Sequence, residues 1–138
     1  MLKPYLASIL LCVLLNSCSY GCLELYQTFP LTVTDASGTP VLLDSITVTN
    51  LETGRAYPKC DAEESNFPCL NLSPAEDDPS YPSYEIMNDS FNDTLKRSGT
   101  RILVEGAKEE LSFSREYVFR SGTCGVRYEG GLLEITLE

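Results

Sequence analysis

The 138-residue chain contains no histidine and no tryptophan. Without histidine it lacks the commonest general base and the commonest zinc ligand. Basic residues are scarce as well: Lys and Arg total 10 against 20 Asp and Glu, a formal net charge of −10. A surface of that sign repels nucleic acid, so no nucleic-acid partner is expected. Anionic lipid would not attract it either, and the plain consequence of the acidity is solubility. The chain has no G-x-S-x-G elbow, no phosphate loop, no H-E-x-x-H and no C-x-x-C pair, which leaves no catalytic residue, metal site or cofactor to assign. A long apolar run is missing too. The best stretch, Tyr5 to Leu15, is too short to cross roughly 30 Å of hydrocarbon as a permanent helix. No segment keeps a helical period, and there is no internal repeat.

What the N-terminus does carry is a leader. Lys3 supplies a positive start, and Ile9, Leu10, Leu11, Val13, Leu14 and Leu15 form a short apolar centre, the pattern of an export signal. The next residues, Leu15-Asn16-Ser17-Cys18, resemble the bacterial lipobox. That resemblance implies removal of residues 1–17, acylation of Cys18 and a mature chain that begins there. The leader takes Lys3 and no acid with it, so the net charge moves from −10 to −11. Acyl chains bury at about 0.8 kcal/mol per CH₂, and several of them make the anchor effectively permanent. The expected location is the bacterial cell envelope, lipid-anchored to the inner or outer membrane, with the domain outside the cytoplasm.

Export changes the cysteine arithmetic. Cys12 leaves with the leader and Cys18 goes to lipid. Cys22, Cys60, Cys69 and Cys124 remain, an even number in an oxidising compartment. Four cysteines allow three pairings. Cys60 and Cys69 bracket a Pro- and acid-rich stretch, which makes a local bridge the simplest choice and leaves Cys22 for Cys124. A Cys60–Cys124 bridge is the main rival.

Beyond a tether at 18–28, the texture over 29–138 is that of short strands and turns. Leu31 and Val33 alternate with Thr32 and Thr34, the period of a half-buried strand. Val41 to Asn50 reads as a second strand whose alternation slips, and a bulge near Asp44-Ser45 would restore its inward face. Arg55 to Tyr57 returns after a turn. Five of the eight prolines fall in 58–82, which reads as a surface excursion. Strands resume at Tyr84 to Met87 and at Thr100 to Gly106. Glu109 to Arg120 is a strand pair or one long bent strand. Gly130-Gly131 predicts a hairpin joining Cys124–Glu129 to Leu132–Leu137. Ala107 to Leu111 offers at most one helical turn. About seven such strands predict an all-β, antiparallel β-sandwich of transthyretin-like or immunoglobulin-like type.

Leu31-Thr32-Val33-Thr34-Asp35-Ala36-Ser37-Gly38-Thr39-Pro40-Val41, then Ile46-Thr47-Val48-Thr49-Asn50 and Thr53-Gly54-Arg55, resemble the opening of carboxypeptidase-regulatory-like, transthyretin-like domains. The end of the chain, with Tyr117-Val118-Phe119, Cys124-Gly125-Val126 and a final G-x-L-x-I-x-L strand, is similar to small lipoproteins of Bacteroidota. The usual alanine-rich second strand is replaced here by Leu42-Leu43-Asp44-Ser45. The resemblance spans roughly residues 29–57 and 84–138 and implies an accessory, non-catalytic domain.

Several residues are candidates for sites. Asp44-Ser45-Ile46 and Asp93-Thr94-Leu95 resemble the O-glycosylation tripeptide of exported Bacteroidota proteins, with Ser45 and Thr94 as acceptors. Asn71, Asn88 and Asn92 begin N-glycosylation sequons, which a bacterial lipobox makes coincidental. Glu76, Asp77, Asp78, Asp89 and Asp93 are calcium-type ligands without the order of a calcium loop. Tyr57, Tyr81, Tyr84, Tyr117 and Tyr128 offer either a sugar-stacking surface or core. The expectation is therefore a non-catalytic envelope lipoprotein acting as an accessory or binding module, with an envelope protein or a glycan as partner. One alternative is a structural or assembly subunit working through sheet-edge pairing. The other is a small carboxylate-dependent envelope hydrolase.

Overall fold

A computed structural model describes residues 21–22, 25–60, 67–74 and 82–138. The leader, Cys18, Glu76, Asp77, Asp78 and Tyr81 lie outside the described residues. Eight strands follow in order: β1 Thr28–Asp35, β2 Ser45–Asn50, β3 Arg55–Ala56, β4 Ser83–Asn88, β5 Thr100–Lys108, β6 Leu111–Gly122, β7 Gly125–Tyr128 and β8 Glu134–Leu137. A short 3₁₀ helix, Asp89–Thr94, follows β4. The count is eight rather than about seven, and the short strand expected at Arg55 to Tyr57 is the two-residue β3, which folds back on the end of β2 through the Leu51–Gly54 turn.

The strands form two sheets in the order β4-β1-β8 and β3-β2-β5-β6-β7. Alternation builds the core between them. Leu31 and Val33 of β1, Tyr84 and Ile86 of β4, and Ile135 and Leu137 of β8 face Ile46 and Val48 of β2, Ile102 and Val104 of β5, and Tyr117 and Phe119 of β6. All are buried. The all-β sandwich follows directly from this period-two pattern.

Two local expectations are corrected. The slip in Val41 to Asn50 is a change of sheet and not a bulge. Pro40 bridges to Thr34, and the Val41 N–H donates to the Val33 carbonyl, so the chain is still with β1. The Asp44 N–H then donates to Ala107 of β5, and the inward parity restarts in the other sheet. The Gly130-Gly131 hairpin does not form either. β7 pairs with β6, whereas β8 crosses over and lies parallel to β1. Val126 and Ile135 thereby enter the core from opposite sheets. The linker at 129–133 is long enough to bridge the roughly 10 Å between stacked sheets, and burial outweighs the local turn signal. Ala107 to Leu111, where at most one helical turn was expected, is a tight β-turn: β5 and β6 meet at Lys108↔Leu111 around Glu109, whose φ is 53°.

The described part of the Pro-rich excursion packs along one side of the smaller sheet. Leu70 and Leu72 are buried, Lys59 bridges to Leu70, and the Glu85 N–H of β4 donates to the Asn71 carbonyl. Asn88 is only 2% exposed and fastens the same segment, donating from Nδ2 to the Cys69 carbonyl at 3.0 Å.

Candidate functional site

The cysteines pair as Cys22–Cys124 and Cys60–Cys69, with Cα separations of 5.2 and 5.0 Å. The first closes 102 residues and binds the tether to the β6–β7 turn. The second closes the excursion that covers the β4 edge. The rival Cys60–Cys124 bridge is absent.

Around the first bridge, polar side chains act as staples. Asp89 accepts the Gln27 N–H on Oδ2 and the Val126 N–H on Oδ1, each at 2.8 Å, while its own N–H donates to the Gln27 carbonyl at 3.0 Å. One carboxylate thus ties the tether, the 3₁₀ helix and β7 together. It presses on Gly125 (φ 124°) so closely that a Cβ there would lie 2.5 Å from Oδ1. Asn92 clasps Gly122 at both ends of its amide, donating to the carbonyl and accepting the N–H, each at 3.0 Å.

These contacts decide several candidates. Asn88 and Asn92 spend their amides inside the fold, whereas Asn71 is exposed. Asp89 spends both oxygens on backbone N–H groups, Asp93 is exposed, and no group of three potential metal ligands occurs among the described residues. Tyr57 stands edge-on to Phe91, and Tyr128 stacks on Phe119 at 5.0 Å between centroids. Tyr84 accepts the Leu43 N–H at 2.7 Å, which secures the crossover between sheets. Burial is the main reason the Tyr57, Tyr84 and Tyr117 hydroxyls titrate above their usual value of 10.0. Of the candidate tyrosines described, Tyr57, Tyr84 and Tyr117 belong to the core and Tyr128 packs half-buried against it.

Two further carboxylates are engaged structurally. Asp35 closes its turn by accepting from the Ser37 hydroxyl and from the Ser37 and Thr39 N–H groups, and the Ser37 hydroxyl does most to hold it below 3.8. Asp44 accepts the Glu109 N–H at 2.7 Å and pairs with Lys108 at 3.0 Å. The Glu109 N–H leads in lowering its pKa.

The two glycosylation tripeptides share one geometry. Ser45 and Thr94 are exposed, while the aliphatic residues after them, Ile46 and Leu95, are buried. The two acceptors sit at opposite ends of the larger sheet, Ser45 opposite Ala107 and Thr94 near the Asn92–Gly122 clasp.

One feature had no signal in the sequence. β6 is 12 residues long but pairs with β7 only from Phe119 onward. From Leu111 to Val118, its side away from β5 meets no strand among the described residues. Ser112, Ser114, Arg115 and Glu116 are exposed there, as are Leu111 and Val118 at 43% and 42%.

The fold and its crosslinks define a class, a doubly disulfide-bonded two-sheet β-sandwich in which the long strand β6 is paired on both sides only over its C-terminal part among the described residues. No protein-family model, curated protein or solved structure matches the chain.

Proposed function

We propose that this chain is a non-catalytic bacterial envelope lipoprotein, anchored through acylated Cys18 and acting as an accessory or binding module outside the cytoplasm. The observation that carries the reading is the pairing of all four cysteines beyond Cys18. Both Cα separations fall within the native range of about 4.4–6.8 Å, and such bonds persist where the compartment is oxidising. Only Cys18, behind the lipobox-like residues, is then left for lipid. From Cys18 to Cys22 the chain reaches at most about 14 Å, so the β6–β7 tip stays close to the anchor. An envelope protein or a glycan is the proposed partner, and the domain is proposed to be carboxypeptidase-regulatory-like. Ser45 and Thr94 are the proposed O-glycan acceptors, because each is an exposed residue beside a buried aliphatic one; the Thr94 hydroxyl donates to the Phe91 carbonyl at 2.7 Å and would give up that bond on modification.

Fractionation tests the anchor. The natural chain is expected with the membranes, and Cys18→Ala is expected to release it or leave it uncleaved. Natural chain found in the cytosol with reduced thiols would end the reading.

A second reading, an assembly subunit that takes a partner strand on a sheet edge, is favoured by the open side of β6. The hydrolase reading has less support, because Asp35, Asp44 and Asp89 are occupied by backbone N–H groups.

A further inference from the structure

We infer that the open edge of β6 is a self-pairing surface, on which Leu111–Tyr117 meets the same segment of a second copy in an antiparallel ladder centred on Ser114. The inference rests on the assembly reading of that edge and names its partner. It does not depend on the lipid.

Backbone direction comes first. The Asp44 N–H donates to Ala107 and the Leu51 N–H donates to Arg101, so the odd residues of β5 turn their polar groups toward β2. Its even residues therefore face β6, where they stand opposite odd ones: Lys108↔Leu111, Gly106↔Phe113, Val104↔Arg115, Ile102↔Tyr117. In an antiparallel ladder a residue's N–H and C=O point to the same side. Ser112, Ser114 and Glu116 thus direct theirs to the open side, as does Arg120, which stands opposite Arg127 of β7. The open stretch is a continuation of a ladder that β7 has already begun.

Register is then chosen by charge. A two-fold pairing of β6 with itself centres on Phe113, Ser114 or Arg115. Centring on Arg115 places that cation opposite its own copy. Centring on Phe113 places Glu110 opposite Glu116 of the second copy, twice. Like charges directly opposite are destabilising. Centring on Ser114 avoids both clashes. It sets Phe113 opposite Arg115 of the second copy, Leu111 opposite Tyr117, and Ser112 opposite Glu116. Arg115 lies on the inward parity of an edge strand, where a charge blocks indiscriminate pairing. Only a register that gives it a non-cationic neighbour is admitted.

The side chains already on this edge fit the role. Phe113 lies over Gly106, where a Cβ would come within 2.5 Å of the ring and 3.0 Å of Leu43, and both side chains are partly buried against the core. The ring is therefore positioned before any partner arrives. A ladder of this kind is isologous and closes as a dimer. It sends the two Cys124 tips in opposite directions, each roughly 27 Å from the two-fold at about 3.4 Å per residue. On a single membrane the strands would therefore lie along the surface.

Oxidative crosslinking of the full chain in its own membranes tests the proposal. Ser114→Cys is expected to give a band at twice the monomer mass on non-reducing gels. Phe113→Cys, Arg115→Cys and the control Thr47→Cys, exposed on the same sheet but away from the edge, are expected to remain monomeric. Ser114→Pro removes an N–H that faces away from β5 and meets no strand among the described residues, so it is expected to fold and to sediment as a monomer where the natural chain sediments as a dimer. Equal crosslinking at all four positions, or a dimer unaffected by Ser114→Pro, would overturn the self-pairing. Crosslinking of Ser114→Cys to a different protein would overturn self-pairing while keeping the edge as an assembly surface. Monomeric chain with no crosslink at any position would overturn both.

Discussion

β6 is one strand with two characters. Its C-terminal half, Tyr117 to Gly122, has β5 on one side and β7 joining on the other from Phe119, buries Tyr117 and Phe119, and ends in the Asn92 clasp. Its N-terminal half, Leu111 to Glu116, has β5 on one side and no strand on the other among the described residues. Leu111, Phe113, Tyr117 and Phe119 keep one alternation through both halves, interrupted by Arg115, so the side-chain pattern does not mark where β7 stops. What separates them is where β7 stops and the chain crosses to the other sheet. Stability is concentrated where the strand is flanked, and the unflanked half is left available for a partner.

Substitutions in the two halves should differ accordingly. Phe119 is fully buried among Phe29 and Tyr128, and Phe119→Ala is expected to cost about 3–5 kcal/mol in urea unfolding. Phe113→Ala, on a half-buried ring, should cost clearly less, and equal losses would erase the contrast. Next comes Asp89→Ala, which strips N–H partners from Gln27 and Val126 and should cost about 2 kcal/mol. A neutral Asp89→Ala would mean that the staple adds little beyond the Cys22–Cys124 bond.

Smaller again is the effect of Ser114→Pro on the isolated domain, expected within about 0.5 kcal/mol because proline is tolerated on an edge whose N–H faces outward. Hydrogen exchange sharpens the same point. In dilute monomer the Ser112, Ser114 and Glu116 amides should exchange far faster than those of Arg120 and Gly122, and they should slow as concentration rises.

The least change should come with alkali. Burial raises the Tyr57, Tyr84 and Tyr117 hydroxyls above 10.0, so the native state keeps protons that the unfolded chain has released. The stability they contribute is full below pH 10 and is lost as pH climbs through their raised values. Unfolding midpoints measured across that window should fall, with Tyr117→Phe reducing the slope.

The sandwich was legible because period-two alternation is local. Leu31/Val33, Ile46/Val48 and Ile135/Leu137 announce their inward faces within a few residues. The cysteine pairing was also within reach, since nearness in sequence favoured Cys60 with Cys69 and left the other pair by elimination. Sheet membership was not legible. Val41 to Asn50 looks like one bulged strand, and Gly130-Gly131 looks like a hairpin turn, because propensity reports conformation and not which neighbour is chosen. The Asp89 and Asn92 staples were missed for a related reason. Their partners, Gln27, Val126 and Gly122, lie 30 or more residues away. An Asp or Asn in a polar stretch reads equally well as turn, ligand or glycan acceptor. The open half of β6 was invisible because it depends on where β7 ends.

Intact mass of the unreduced chain extracted from membranes tests the account most directly. The expected species starts at Cys18, carries acyl mass on that residue and has no alkylatable thiol at Cys22, Cys60, Cys69 or Cys124. A chain that keeps residues 1–17, or that starts beyond Cys18 with no acyl mass and reactive thiols, would contradict it.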